Sequence, residues 1–238
     1  IIERAAGWER ASAADADARW LMLLAAAYQI SGRYDDMLTT LRAAADRGAK
    51  PDLLPAMLNM LDLTNQRALT SEVLARATKE YEQESWIHEL TIRRHWEAAR
   101  NDDAMAALEF ALKSVPDPDS SLIRWQALLA IANDDNETAR AAVVVLESGD
   151  LADDADERDA DRAWARTSDA RVNADTTGWD EALQQYEQSL AMLPSEPVLH
   201  FLAGEAYIQI GEVDRAAGAY RRAVELQPMW VGAGIAYS

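Results

Sequence analysis

The chain has 238 residues, with 41 acidic against 23 basic side chains and a formal net charge of −18. That charge opposes contact with nucleic-acid phosphates and anionic lipid, and the longest basic cluster, Arg93-Arg94-His95, is too short to reverse it locally. The absence of cysteine excludes disulfides and thiol nucleophiles, and no run of about 18 uncharged apolar residues offers a membrane helix.

Hydrophobic content of 49% supports a buried core. Abundant Ala, Leu, Glu and Arg with little Gly and Phe describe a helical chain. Lysine stands only at 50, 79 and 113. This arginine bias fits the base composition of a high-GC bacterial genome better than adaptation to salt. Cytoplasm and periplasm are equally compatible. Ile1 at the start, and a helical pattern cut short at Ser238, read as a piece excised from a longer protein.

Taken in order, residues 1–14 look like the second helix of a helix pair, with Ile1, Ile2, Ala5, Ala6 and Trp8 as its apolar members. A clear pair follows over 18–50: Leu21, Leu24, Ala25 and Tyr28, a turn at Gly32, then Met37-x3-Leu41 and Ala44. Small residues at Ala25 and Ala44 let the paired helices approach closely. The stretch 51–83 keeps the apolar rhythm of helices, with Leu54, Met57, Leu58 and Leu61 on one face and Val73, Leu74 and Ala77 on another. Asn65-Gln66 makes its turn. In 85–118, Trp86, Leu90 and Trp96 belong to the first helix. Asn101-Asp102-Asp103 is expected to turn the chain, and Ala106-x3-Phe110 to mark the second helix. In 120–148, Ser120 or Ser121 is expected to cap a helix carrying Ile123, Ala127 and Ala130. A turn at Asn133-Asp134-Asp135 precedes Ala139-x3-Val143.

An acidic run over 149–161 interrupts the pattern, read either as a long loop or as an extended, solvated helix start. The last two pairs, 163–196 and 197–230, share one register. Ala182-x3-Tyr186 and Pro194 stand 34 residues before Ala216-x3-Tyr220 and Pro228. The last pair adds His200-x2-Ala203-Gly204-x2-Tyr207 and a turn at Gly211. Residues from Pro228 to Ser238 would open another helix.

These spacings resemble the tetratricopeptide repeat, whose signature is Trp-x2-Leu-Gly-x2-Tyr, then Ala-x3-Phe, then Pro, with a period near 34 residues. His200, Ala203 and Tyr220 depart from it. The resemblance implies an all-α α-solenoid of antiparallel helix pairs, wound as a right-handed superhelix and spanning the whole chain as one array.

Motifs for chemistry are missing. His88-Glu89-Leu90-Thr91-Ile92 lacks the second histidine of a zinc-protease helix. His88 and His95 lie about 10 Å apart along a helix, too far to share a metal. The aspartates at 153, 154, 156, 159 and 161 do not match a calcium-loop pattern. No nucleophile elbow or phosphate-binding glycine loop occurs. The expectation is therefore no enzyme, metal or cofactor.

By resemblance, ligands lie along a concave face lined by first helices. The candidate partner-binding residues there are Arg124, Trp125, Leu128, Trp164, Phe201, Glu205 and Gln209. Trp and Arg are frequent binding anchors, although large aromatics in helical repeats more often pack between helices. The Lys and Asn pair with which one subgroup clamps chaperone tails is absent: Met22, Ala26, Phe201 and Glu205 stand on those faces. The expected partner is a protein or peptide with a basic or amphipathic segment, and exposed repeat ends permit self-association. The function expected is a protein–protein interaction scaffold. The alternatives are a recognition module of a larger enzyme and a structural spacer in a bacterial envelope export or secretion assembly.

Overall fold

The structure, a computed structural model, describes residues 18–47 and 53–227. Among them are twelve α-helices and no strand, the all-α helical repeat solenoid expected. The helix read over 1–14, the one after 227, Pro51 and the closing Pro228 lie outside the described residues. The chain divides into two compact units, Ile1–Glu82 and Gln83–Ser238.

The first unit holds α1 (Ala18–Ile30), α2 (Tyr34–Asp46), α3 (Leu54–Leu63) and α4 (Arg67–Glu80). Apolar residues at helical spacing bury one stripe of each. Leu21, Leu24, Ala25 and Tyr28 do so in α1, and Met37, Leu41 and Ala44 in α2. Both expected turns are present: Gly32 takes φ of 71° and Asn65 takes φ of 56°. The Arg76 guanidinium donates to the Ala45 carbonyl, tying α4 to α2.

The second unit is four antiparallel pairs: α5 (Ser85–Glu97) with α6 (Asn101–Ser114), α7 (Ser120–Ala132) with α8 (Asn136–Ser148), α9 (Ala155–Thr177) with α10 (Trp179–Met192), and α11 (Pro197–Gln209) with α12 (Val213–Leu226). Each pair packs on its neighbour, as α7 does on α5 and α6, and α9 on α7 and α8. That is the local contact pattern of a solenoid. One apolar cluster runs through all four pairs, from Ile92 to Ala223. Each fully buried leucine in it, such as Leu122 or Leu129, contributes about 1.5–3 kcal/mol.

Acidic side chains start several of these helices by accepting from free backbone N–H groups. Asp119 accepts from the amides of Ser121 and Leu122, Asp135 from Thr138, Asp154 from Glu157, and Glu196 from Val198. The cap of α7 is thus Asp119 rather than either serine. The Ser120 hydroxyl instead donates to Glu157 Oε1, 3.0 Å away on α9.

Two further expectations need correction. The buried positions of α6 are Ala104, Leu108 and Ala111, two residues ahead of the expected Ala106 and Phe110. Ala106 is exposed, and Phe110 is 46% exposed beside the His88 ring. The turn moves with this register. It falls at Ala99, with φ of 56°, and Asn101 already begins α6. An aromatic at the expected spacing misled; the helical stripe Ala104-Leu108-Ala111-Val115 decides the face. The second concerns the acidic run: its helix-start reading fits 155–161, the first two turns of the 23-residue α9, but it is not wholly solvated. Asp161 is 1% exposed and paired with Arg124.

Close approach within the last pair requires a glycine. A Cβ on Gly204 of α11 would stand 2.5 Å from Cε1 of Tyr220 on α12.

Candidate partner-binding site

The first helices of the second unit meet around a hollow of about 350 Å³. Trp96 comes to it from α5, Leu128 and Ile131 from α7, Arg171 from α9, and Phe201, Leu202 and Glu205 from α11. Ala99, Asn101, Ala132 and Asp134, at the turns after α5 and α7, complete its wall. The hollow therefore sits where two first helices end, their last turns closed by backbone bonds such as Ala99 N–H to the Trp96 carbonyl and Asp134 N–H to the Ile131 carbonyl. Aromatic rings link across it. Trp96 meets Trp125 edge-on at 5.5 Å, and Trp96 meets Phe201 at 5.9 Å. Phe201 lies 5.5 Å from Tyr220.

The same helices also carry a partly buried charge network. Arg124 donates through Nε (2.8 Å) and Nη2 (2.6 Å) to Asp161 Oδ1. Nη2 also reaches Ser120 Oγ and the Glu157 carbonyl. Arg93 pairs with Glu89 one turn away. Glu196, which starts α11, lies in the field of Arg93 and Arg124. Burial nevertheless outweighs them and pushes its carboxyl above the ordinary 4.5.

The seven residues proposed from sequence divide between these regions. Leu128, Phe201 and Glu205 line the hollow. Glu205 is exposed and accepts from the Tyr220 hydroxyl at 3.4 Å. Gln209, one turn further along α11, is exposed outside the lining. Arg124 is held by Asp161 with its side chain 20% exposed. Trp125 and Trp164 are 5% and 7% exposed and belong to the core cluster. Leu128, at 3% exposure, reaches the hollow from the core.

Sequence reasoning missed Trp96, Ile131, Asp134 and Arg171. The signal existed in the spacing. Trp96, Ile131 and Ile208 each stand eight residues before the first small buried residue of the next helix, namely Ala104, Ala139 and Ala216. Leu128, Arg171 and Glu205 stand eleven before theirs. The two-residue register error at Ala106 hid Trp96.

A larger hollow of about 500 Å³ lies on another face of α9, floored by Ala170 and Ala182 and walled by charged residues of both signs, including Arg166, Asp169 and Glu181. No aromatic ring lines it. Among the described residues no group of three or more His, Asp or Glu side chains could hold a metal ion, and no helix is long and apolar enough to cross a membrane. His88 is buried against Phe110. Nε2 of His200 lies 3.0 Å from the Pro194 carbonyl.

No protein-family model matches the sequence, and no curated protein does. Solved structures match in fold. A tetratricopeptide repeat protein from Parabacteroides merdae superposes with a TM-score of 0.55 at 14% identity, over 87% of this chain and 79% of its own. The C-terminal part of a TPR repeat-containing protein from Cytophaga hutchinsonii gives 0.51 at 16% identity, over 100% and 93%. A chain of the APC/C hetero-tetramer Cut9–Hcn1 gives 0.54 at 10% identity over 93% of this chain, which spans only 42% of that one. At these identities what is shared is the fold: the chain is an all-α array of helix pairs with the fold of tetratricopeptide repeat proteins.

Proposed function

We propose that this protein is a non-catalytic interaction scaffold whose second unit binds a segment of a partner protein on the face where α5, α7, α9 and α11 converge. The observation that carries the reading is the aromatic-walled hollow. It draws residues from four first helices spread over more than a hundred positions of sequence. Recognition sites are typically concave and apolar, with a few polar groups that fix orientation, and aromatic anchors dominate binding energy. A chain of similar fold takes part in the Cut9–Hcn1 hetero-tetramer, which supports a scaffold role without naming a partner here.

Phe201, Leu128, Glu205 and Gln209 make the contacts in this reading. Arg124, Trp125 and Trp164 act from behind, holding the first helices in position. The net charge of −18 favours a basic or amphipathic segment. The test is affinity capture from the native host with three charge variants at exposed positions: Glu205→Arg, Gln209→Arg and, on α8, Val144→Arg. Val144 is 66% exposed. Loss of one and the same protein with the two α11 variants, and its retention with Val144→Arg, is the expected result. Retention with the α11 variants and loss with Val144→Arg overturns the reading.

A further inference from the structure

We propose that the hollow lined by Trp96, Phe201, Asp134 and Glu205 is a cation pocket, built to take the side chain of an arginine or lysine presented by the partner segment. The inference rests on the reading of this face as the partner surface. Three features of different origin converge on it.

The first is aromatic. Trp96 and Phe201 line the opening and meet each other edge to face there. A guanidinium or ammonium over such a ring gains roughly 0.5–2 kcal/mol, most when desolvated. The second is the backbone. Ala99 and Asp134, with φ of 56° and 57°, turn the chain just past the ends of α5 and α7. The cavity therefore borders the C-terminal ends of two helices, whose carbonyls are capped by turn amides but whose dipoles still favour a cation nearby. The third is side-chain charge. Glu205 and Asp134 both border the hollow, and among the described residues neither is in an ion pair; Glu205 accepts from the Tyr220 hydroxyl at 3.4 Å.

One lining group opposes a cation. Arg171 borders the same cavity, but its guanidinium stacks 5.0 Å over the Trp179 ring, which occupies it. The balance at the opening is two carboxylates and two helix ends against one engaged arginine. The lining also suits the assignment: the alkyl stem lies against Leu128 and Ile131 while the charged head stays with the carboxylates, the usual division of a long basic side chain.

The test uses the intact protein and three small probes followed by two-dimensional NMR: N-acetyl-arginine amide, its neutral isostere N-acetyl-citrulline amide, and N-acetyl-norleucine amide. The expected result is saturable perturbation of the Trp96 indole N–H and of the Asp134 and Glu205 amides by the arginine probe. Citrulline and norleucine should bind at least about tenfold more weakly, about 1.4 kcal/mol of charge recognition. Glu205→Gln, an exposed and conservative change, should weaken the arginine probe severalfold and leave the fold intact. Equal binding of citrulline or norleucine overturns the cation assignment. So does an arginine response that maps elsewhere or ignores Glu205→Gln, and so does no saturable response. None of these outcomes touches the broader reading, which falls if the partner is retained with Glu205→Arg and Gln209→Arg and lost with Val144→Arg.

Discussion

Trp96 of α5 and Phe201 of α11 meet edge to face, with ring centroids 5.9 Å apart and planes at 83°. They belong to the first and fourth helix pairs of the second unit, so this contact brings the inner face of the stack back on itself. The face is a hollow rather than an open channel. Edge-to-face aromatic pairs contribute about 0.5–1.5 kcal/mol beyond their buried area. A double-mutant cycle with Trp96→Leu and Phe201→Leu, read by denaturant unfolding, should therefore return a coupling of about 1 kcal/mol. Strict additivity would mean that the rings do not meet in solution.

The Arg124–Asp161 pair should behave as a buried ion pair does. Asp161 is 1% exposed, and both guanidinium bonds fall on its Oδ1. Asp161→Ala leaves a partly buried arginine unpaired and should cost about 3 kcal/mol. Replacing both residues with apolar ones, Arg124→Met with Asp161→Leu, should recover most of the loss. Equal destabilisation by the single and double variants in chemical denaturation would count against the pairing.

The repeat framework makes a contrasting pair of glycine predictions. Gly204→Ala puts a Cβ 2.5 Å from Tyr220, an overpacking that costs about 1–3 kcal/mol. Gly218→Ala, within α12, meets nothing within 4 Å and should gain up to about 1 kcal/mol of helix propensity. Thermal unfolding should move the two variants in opposite directions. Movement in the same direction would refute the close α11–α12 approach.

Glu196 gives a pH dependence with a defined sign. Its carboxyl is raised above 4.5, chiefly by burial. Its charged form is therefore less favourable in the folded protein than in the unfolded chain. That cost is absent below 4.5 and grows as pH rises through the folded value. Glu196→Gln keeps an acceptor for the Val198 amide and removes the charge. It should raise the melting temperature at pH 7 and show no advantage below pH 4.5. A variant less stable at pH 7 would mean that attraction to Arg93 and Arg124 outweighs burial.

Much of this fold is legible in the sequence because helix-pair arrays are local. Met37, Ala139, Ala182 and Ala216 announce second helices by their spacing to turns that Gly32, Asp134, Gly178 and Gly211 take with positive φ. Phe110 broke the reading of α6, since an aromatic at the wrong helical angle looks like a signature residue until burial is known. Asp161 was hidden for a related reason. Within an acidic run nothing in the spacing marks the one carboxylate that turns inward to Arg124. The hollow was harder still. Leu128, Phe201 and Glu205 could be proposed from helix faces, but their meeting with Trp96 depends on how tightly four pairs curl, which no local spacing encodes.

The central claim is that a partner engages the inner face of the second unit, and site-specific photo-crosslinking in the native host tests it most directly. A photoreactive residue at Glu205 or Gln209 on α11, both exposed, should yield one common crosslinked protein, and the same residue at Val144 on α8 should yield none of it. A partner captured from Val144 and absent from Glu205 and Gln209 would contradict the account.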